Sequence, residues 1–109
     1  MLVNRNDYVA EFMTDALKTT IQLLEGSLPG QLLEFSLRRD ENQDSVLVRL
    51  VTNKHPDVEF VYEYAIFDVN VEPQYSAHTD VSIFFGALLE RVQRWAPPAG
   101  KHAEGLVRL

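Results

Sequence analysis

The sequence predicts an α+β fold: a two-layer domain in the order α-β-β-β-α, with a three-stranded antiparallel meander and two helices on one face. Apolar residues recur at helical spacing near each end of the chain, and three segments between them alternate apolar and polar residues. The connections between these segments are short, which is typical of antiparallel pairing. Because a sheet with one apolar face needs a cover, both helices are expected to pack on that face.

The first helix is predicted over residues 7–25. Asn4 or Asn6 can cap its start, and Gly26 can close its end in the left-handed conformation. At 100° per residue its apolar side chains cover roughly 200°, more than the ~100° stripe of a helix with one buried face. This helix is therefore expected to contact two surfaces.

The predicted strands cover residues 32–39, 45–52 and 58–71. In the third strand the alternation changes phase near Ile66, so Phe67, Val69 and Val71 fall on the face that was polar. A β-bulge would explain this change, and so would a strand that runs past its own sheet.

The hydrophobic pattern also predicts the register of the sheet. If Phe35 pairs with Val48, then Glu34 lies opposite Arg49. If Arg49 in turn faces Glu63, the outer face of the sheet carries a Glu–Arg–Glu row and the inner face is continuously apolar.

The second helix is predicted over residues 80–95, with Thr79 or Asp80 as its N-cap and a Pro-Pro pair after its end. These elements predict one domain over residues 1–96. A C-terminal tail, 97–109, follows, and its last residues, Leu106–Leu109, can add a short edge strand.

The composition excludes several kinds of function. The chain of 109 residues has no cysteine, which excludes disulfides, thiolate chemistry and zinc sites built on Cys. A net charge of −6 argues against phosphate-backbone binding. The α-β-β-β-α order is similar to that of double-stranded-RNA-binding domains, but their lysine cluster at the second helix is absent.

No glycine-rich phosphate loop occurs in the sequence, and no segment has the apolar length that spans a bilayer. The N-terminal residues do not have the pattern of a signal peptide. We therefore expect no cofactor, no metal, no direct nucleic-acid contact, no membrane contact and a cytoplasmic location.

The charge is unevenly distributed along the chain. Residues 55–90 contain seven Asp or Glu and no Lys or Arg, whereas residues 91–109 contain four basic side chains and one acidic. This acidic middle predicts a negative surface for a basic protein partner. The residues predicted to contribute to that contact are Glu59, Glu63, Asp68 and Glu72.

The apolar content of both helices and of the third strand exceeds what one small core needs. This excess predicts self-association, as a homodimer built through helix and strand edges. The residues predicted to contribute are Phe67, Val69, Val71 and Trp95.

These patterns favour a small acidic, non-enzymatic protein-interaction module, such as an inhibitor, an immunity-type protein or a chaperone-like adaptor. The element order is also similar to the one that opens the acidic secretion-chaperone fold. One alternative is a structural subunit of a phage or secretion assembly that uses strand-edge and tail contacts. Another is an enzyme that uses His78 and Asp80.

Overall fold

The structure is a computed structural model that describes residues 3–100 and 103–109. It confirms the α+β fold, with two helices and a four-stranded sheet in the order β1-β2-β3-β4. The first three strands form the predicted antiparallel meander, and β4 is parallel to β3. The elements are α1 Arg5–Glu25, β1 Gly30–Arg39, β2 Gln43–Thr52, β3 Val58–Asp68, α2 Ala77–Arg94 and β4 Gly105–Arg108.

The fourth strand comes from the C-terminal tail. Its residues pair with the first half of β3, from Val58 opposite Gly105 to Val61 opposite Arg108. Val107 packs against the hydrophobic core from this strand. The short edge strand that the sequence allowed in the tail is therefore present, and it runs parallel to β3 because α2 carries the chain back across the sheet.

The register of the first hairpin is confirmed. Phe35 pairs with Val48, and Glu34 lies opposite Arg49. On the face under the helices the side chains of Val46, Val48 and Leu50 are fully buried.

The predicted partner of Arg49 on β3 is wrong. Arg49 pairs with Val61, and Glu63 pairs with Leu47. The Arg49 guanidinium still joins two carboxylates, but they are those of Glu34, at 3.0 Å, and Glu59. A long side chain can reach a diagonal neighbour across a strand, so the charged row forms with a different acidic residue than the one predicted.

A β-bulge explains the change of phase in β3. Asp44 pairs with Phe67 and Ser45 pairs with Ala65, which leaves Ile66 as the extra residue. The bulge returns Phe67 to the helix side of the sheet, where its ring centroid lies 5.6 Å from that of Tyr8.

The ends of the helices differ in part from the prediction. Asn4 caps α1 as predicted, whereas α2 starts earlier and is capped by Ser76 rather than by Thr79 or Asp80. The Ser76 hydroxyl accepts a hydrogen bond from the Thr79 backbone N–H, one of the first N–H groups of the helix, which have no partner within the helix itself. Gly26 has a φ of −124°, so α1 does not end in the left-handed conformation.

The two helices run in the same direction across the sheet. Their first turns contact each other, since the Tyr8 hydroxyl donates to the Asp80 carboxyl. At the other end Leu28, three residues after α1, lines one cavity together with Val92 of the last turn of α2. α1 contacts β1, β2 and β3, whereas α2 contacts β3 among the strands. Thus α1 lies nearer the β1 edge and α2 lies on its β3 side.

One buried carboxylate ties α1 to the β1–β2 hairpin. Asp44 is fully buried and accepts hydrogen bonds from Arg5 Nε, at 2.7 Å, and from Arg39 Nε, at 2.9 Å. Arg5 also donates to the backbone oxygens of Asp40 and Glu41 in the hairpin turn. The Arg5 contact holds the pKa of Asp44 below its usual value, so this group is a carboxylate at neutral pH.

Among the described residues, no helix is both long enough and apolar enough to cross a membrane.

Candidate functional site

The connection from β3 to α2 begins with a tight turn. The Asp68 carboxylate accepts the Asn70 N–H at 2.8 Å, and the Val71 N–H donates to the Asp68 backbone oxygen at 3.0 Å. Asp and Asn favour such turns because their side chains can bond the nearby backbone. The turn leaves Val69 and Val71 outside the sheet.

The end of β3 and the connection from β3 to α2 form one surface, which we call the β3–α2 patch. Three of its apolar or aromatic side chains are exposed: Val69 by 46%, Val71 by 59% and Tyr75 by 55%. No other connection between elements in the described part of the chain exposes as many large apolar side chains. The patch consists of Phe67, Asp68, Val69, Val71, Glu72 and Tyr75.

Two adjacent cavities open in the patch. One has a volume of about 280 Å³ and reaches inward to Tyr8 and Asp80. The other has a volume of about 340 Å³ and extends outward to Val3 and Val69. They share a wall formed by Phe67, Val71, Glu72 and Pro73. The patch therefore combines exposed apolar side chains with concave space.

The charge of these cavities is negative. Their ionisable lining residues include Asp68, Glu72 and Asp80, and among the described residues neither cavity is lined by Lys, Arg or His. The Arg5 guanidinium lies 6.0 Å from the centre of the Phe67 ring, but it is bonded to Asp44. The patch thus offers carboxylates beside apolar surface.

The inner cavity contains a tyrosine–carboxyl pair. The buried Tyr8 donates its hydroxyl hydrogen to the carboxyl of Asp80 in the first turn of α2. Burial raises the pKa of Asp80 above its ordinary value. Folding therefore favours the neutral form of this carboxyl.

This shift predicts a stability that depends on pH. A carboxyl whose pKa is raised in the folded state stabilises the fold below its unfolded pKa of about 3.9 and loses that contribution as pH rises through the folded pKa. We expect Asp80→Asn to gain stability relative to the unmodified protein as pH rises from acid to neutral. Urea unfolding at a series of pH values measures this difference, and a difference that does not change with pH would contradict it.

The structure brings together five of the eight residues predicted for the site. Phe67, Asp68, Val69, Val71 and Glu72 all belong to the β3–α2 patch. They all lie within residues 67–72, and the turn after β3 brings them into one surface.

The other three predicted residues lie elsewhere. Glu59 and Glu63 are on the sheet face away from the helices, where Glu59 is bonded to Arg49 and Glu63 accepts from Ser45 at 3.3 Å. Trp95 follows α2 and is half-buried by the protein itself: its ring centroid is 4.9 Å from that of His55 and 5.3 Å from that of Phe60.

The structure does not bring His78 and Asp80 together as a catalytic pair. His78 is exposed and its Nδ1 lies 2.9 Å from Asp15, whereas Asp80 points to Tyr8. Among residues 3–100 and 103–109, no three His, Asp or Glu side chains lie close enough together to hold a metal ion. His102, the remaining histidine, lies outside the described residues.

Sequence reasoning missed Tyr75 as a member of the patch and Tyr8 as a residue that lines its inner cavity. Tyr8 has the spacing of a core residue of α1, and its hydroxyl meets a residue 72 positions later in the chain. Tyr75 stands in a loop without periodicity. The signal in the sequence is an aromatic residue, Tyr75, three positions after Glu72 in the acidic and apolar run that follows β3.

No protein-family model matches the chain, and no curated protein or solved structure matches it.

Proposed function

We propose that this protein is a non-enzymatic interaction module that binds a basic segment of a partner protein at the β3–α2 patch. The observation that carries the proposal is the combination of exposed Val69, Val71 and Tyr75 with a cavity lining in which the charged side chains that the structure describes are all carboxylates. Tyrosine and apolar anchors are enriched at the centres of protein interfaces, and complementary charge guides association.

The chemistry of the patch indicates the kind of segment that it accepts. An aliphatic or aromatic side chain of the partner fills the cavity between Phe67 and Val71, and a Lys or Arg beside it meets Glu72 or Asp68. The role is that of an inhibitor, immunity-type protein or adaptor, and a cytoplasmic location belongs to the same proposal.

Binding of synthetic peptides tests this function. The probe is a set of short peptides that combine Lys or Arg with Leu, Val or Phe, each matched by a peptide with Glu in place of the basic residues. We expect the basic–apolar peptides alone to bind, with an affinity that falls as salt is added. Glu72→Lys should weaken binding by roughly tenfold or more, because it places like charges in contact.

The matched control is Glu63→Lys, which makes the same change of charge at an exposed position outside the patch. Its effect on peptide affinity should be small. Fluorescence anisotropy measures each affinity. The proposal fails if the Glu-substituted peptides bind as well as the basic ones, or if both variants bind as tightly as the unmodified protein.

A further inference from the structure

β1 is a long edge strand without a partner on its outer side. It extends over Gly30–Arg39, and among the described residues it pairs only with β2. The opposite edge of the sheet is the short strand β4, Gly105–Arg108. A long free edge presents backbone N–H and C=O groups that can pair with another strand.

The sequence of β1 is complementary to itself in antiparallel orientation. Its only register shift against β2 lies between Leu32 and Glu34, so the segment from Glu34 onward is regular. A two-fold axis at Ser36 places Glu34 opposite Arg38 of the second copy. The same axis places Phe35 opposite the second copy's Leu37. Opposite charges and aromatic–aliphatic pairs are both favourable across antiparallel strands.

The charged groups of this segment are available for such pairing. The Arg38 side chain is exposed, and among the described residues it makes no hydrogen bond or close ion pair, although its charge acts on Glu34 of the same strand. Glu34 is half-buried and accepts from Ser36 Oγ at 2.8 Å and from Arg49 Nη1 at 3.0 Å. A carboxylate has about four acceptor sites, so Glu34 can also receive Arg38 of a second copy. Two-fold symmetry makes this contact twice.

Apolar side chains continue the same edge on the helix side of the sheet. Asp15 of α1 faces α2, and Leu17 is about 200° further around the helix, so it faces the β1 edge. Leu17 is 36% exposed and Ile21 is 39% exposed. Phe35 and Leu37, on the helix side of β1, are half-buried. A second β1 strand with its own α1 would bury more of this apolar surface.

We propose that the chain forms a symmetric homodimer in which β1 pairs antiparallel with β1 of a second copy around Ser36, joining the two four-stranded sheets into one. The interface is distinct from the β3–α2 patch. The proposal therefore does not rest on the proposed function, and each can fail without the other.

Charge exchange across the two-fold axis tests the register. Arg38→Glu places Glu34 opposite a glutamate, and Glu34→Arg places an arginine opposite Arg38. We expect each variant alone to be monomeric by light scattering during size-exclusion chromatography. An equimolar mixture should form a heterodimer, because both contacts are then between opposite charges. Circular dichroism establishes that each variant is folded.

A single cysteine gives a second test that does not depend on the charges. The chain has no cysteine of its own, so Ser36→Cys introduces the only thiol. Residues directly opposite on antiparallel strands have Cβ atoms about 4.5–5.5 Å apart, and mild oxidation should cross-link this variant into a dimer. Ser82→Cys, exposed on α2, is the control and should cross-link much more slowly.

Three results would overturn the dimer proposal: a monomer at every dilution of the unmodified protein, a dimer that persists in Arg38→Glu, or equal cross-linking of the two cysteine variants. Glu72→Lys should leave the dimer intact, and Arg38→Glu should leave peptide binding at the β3–α2 patch unchanged. These two crossed measurements separate a failure of the dimer from a failure of the proposed function.

Discussion

Phe84→Ala should lower the free energy of unfolding by about 4 kcal/mol, as expected for an aromatic residue removed from a closed core. Phe84 is fully buried in α2. Its ring centroid lies 5.7 Å from that of Phe12, 5.6 Å from that of Tyr62 and 5.5 Å from that of Tyr64. Phe84 therefore joins both helices to the central part of the sheet.

The size of this effect follows from the position of the ring. Removing it leaves a cavity that α1, α2 and β3 all line, and three elements cannot close around it without moving against each other. The aromatic neighbours also lose edge-to-face contacts, which contribute beyond the area that they bury.

Ile83→Ala is the matched control for this prediction. Ile83 is the preceding residue of α2 and is 48% exposed. Its replacement should change the free energy of unfolding by less than about 0.5 kcal/mol, because surface substitutions have small effects. Urea titration followed by tryptophan fluorescence measures both variants. Equal losses in the two variants would show that Phe84 is not at the centre of the core.

Asp44→Ala should lower the free energy of unfolding by about 3 kcal/mol. It removes the shared acceptor of Arg5 and Arg39, so α1 loses its ionic contact with the β1–β2 hairpin. The expected loss is at the low end for a broken buried ion pair, because both guanidinium groups have some exposure and can be hydrated. Glu41→Ala, an exposed change in the same hairpin, should have little effect.

The pH dependence of Asp44 distinguishes the loss of an ion pair from a loss of packing. The pKa of Asp44 is lowered in the folded protein, first by the hydrogen bond from Arg5. Its contribution to stability is therefore present above the unfolded pKa of about 3.9 and is lost as pH falls through the folded pKa. The free energies of unfolding of the unmodified protein and of Asp44→Asn should therefore differ less in acid than at neutral pH. If this difference in free energy of unfolding did not change with pH, the loss would be due to packing rather than to the ion pair.

The two proposals assign different surfaces to different partners. The β3–α2 patch lies where β3 ends, whereas the dimer uses the outer edge of β1. β2 lies between β1 and β3 in the sheet, so the outer edge of β1 and the patch at the end of β3 are formed by different strands. A dimer built through β1 would leave both copies of the patch available, and a partner with two basic segments could then bind with increased avidity.

Local patterns in the sequence determined the secondary structure and much of the sheet. The pairing of Phe35 with Val48 followed from alternation alone, because a shift of one residue would move every apolar side chain to the wrong face. The phase change at Ile66 was visible in the sequence for the same reason, and the structure shows it as a bulge.

The tertiary structure alone decided the contacts that join distant parts of the chain. Arg5 meets Asp44 across 39 positions and Tyr8 meets Asp80 across 72, and no periodicity relates the residues of either pair. The parallel pairing of β4 with β3 likewise depends on where α2 returns the chain. Side-chain alternation is a property of a few neighbouring residues, whereas these contacts depend on how two layers pack, and the β3–α2 patch exists only once that packing is complete.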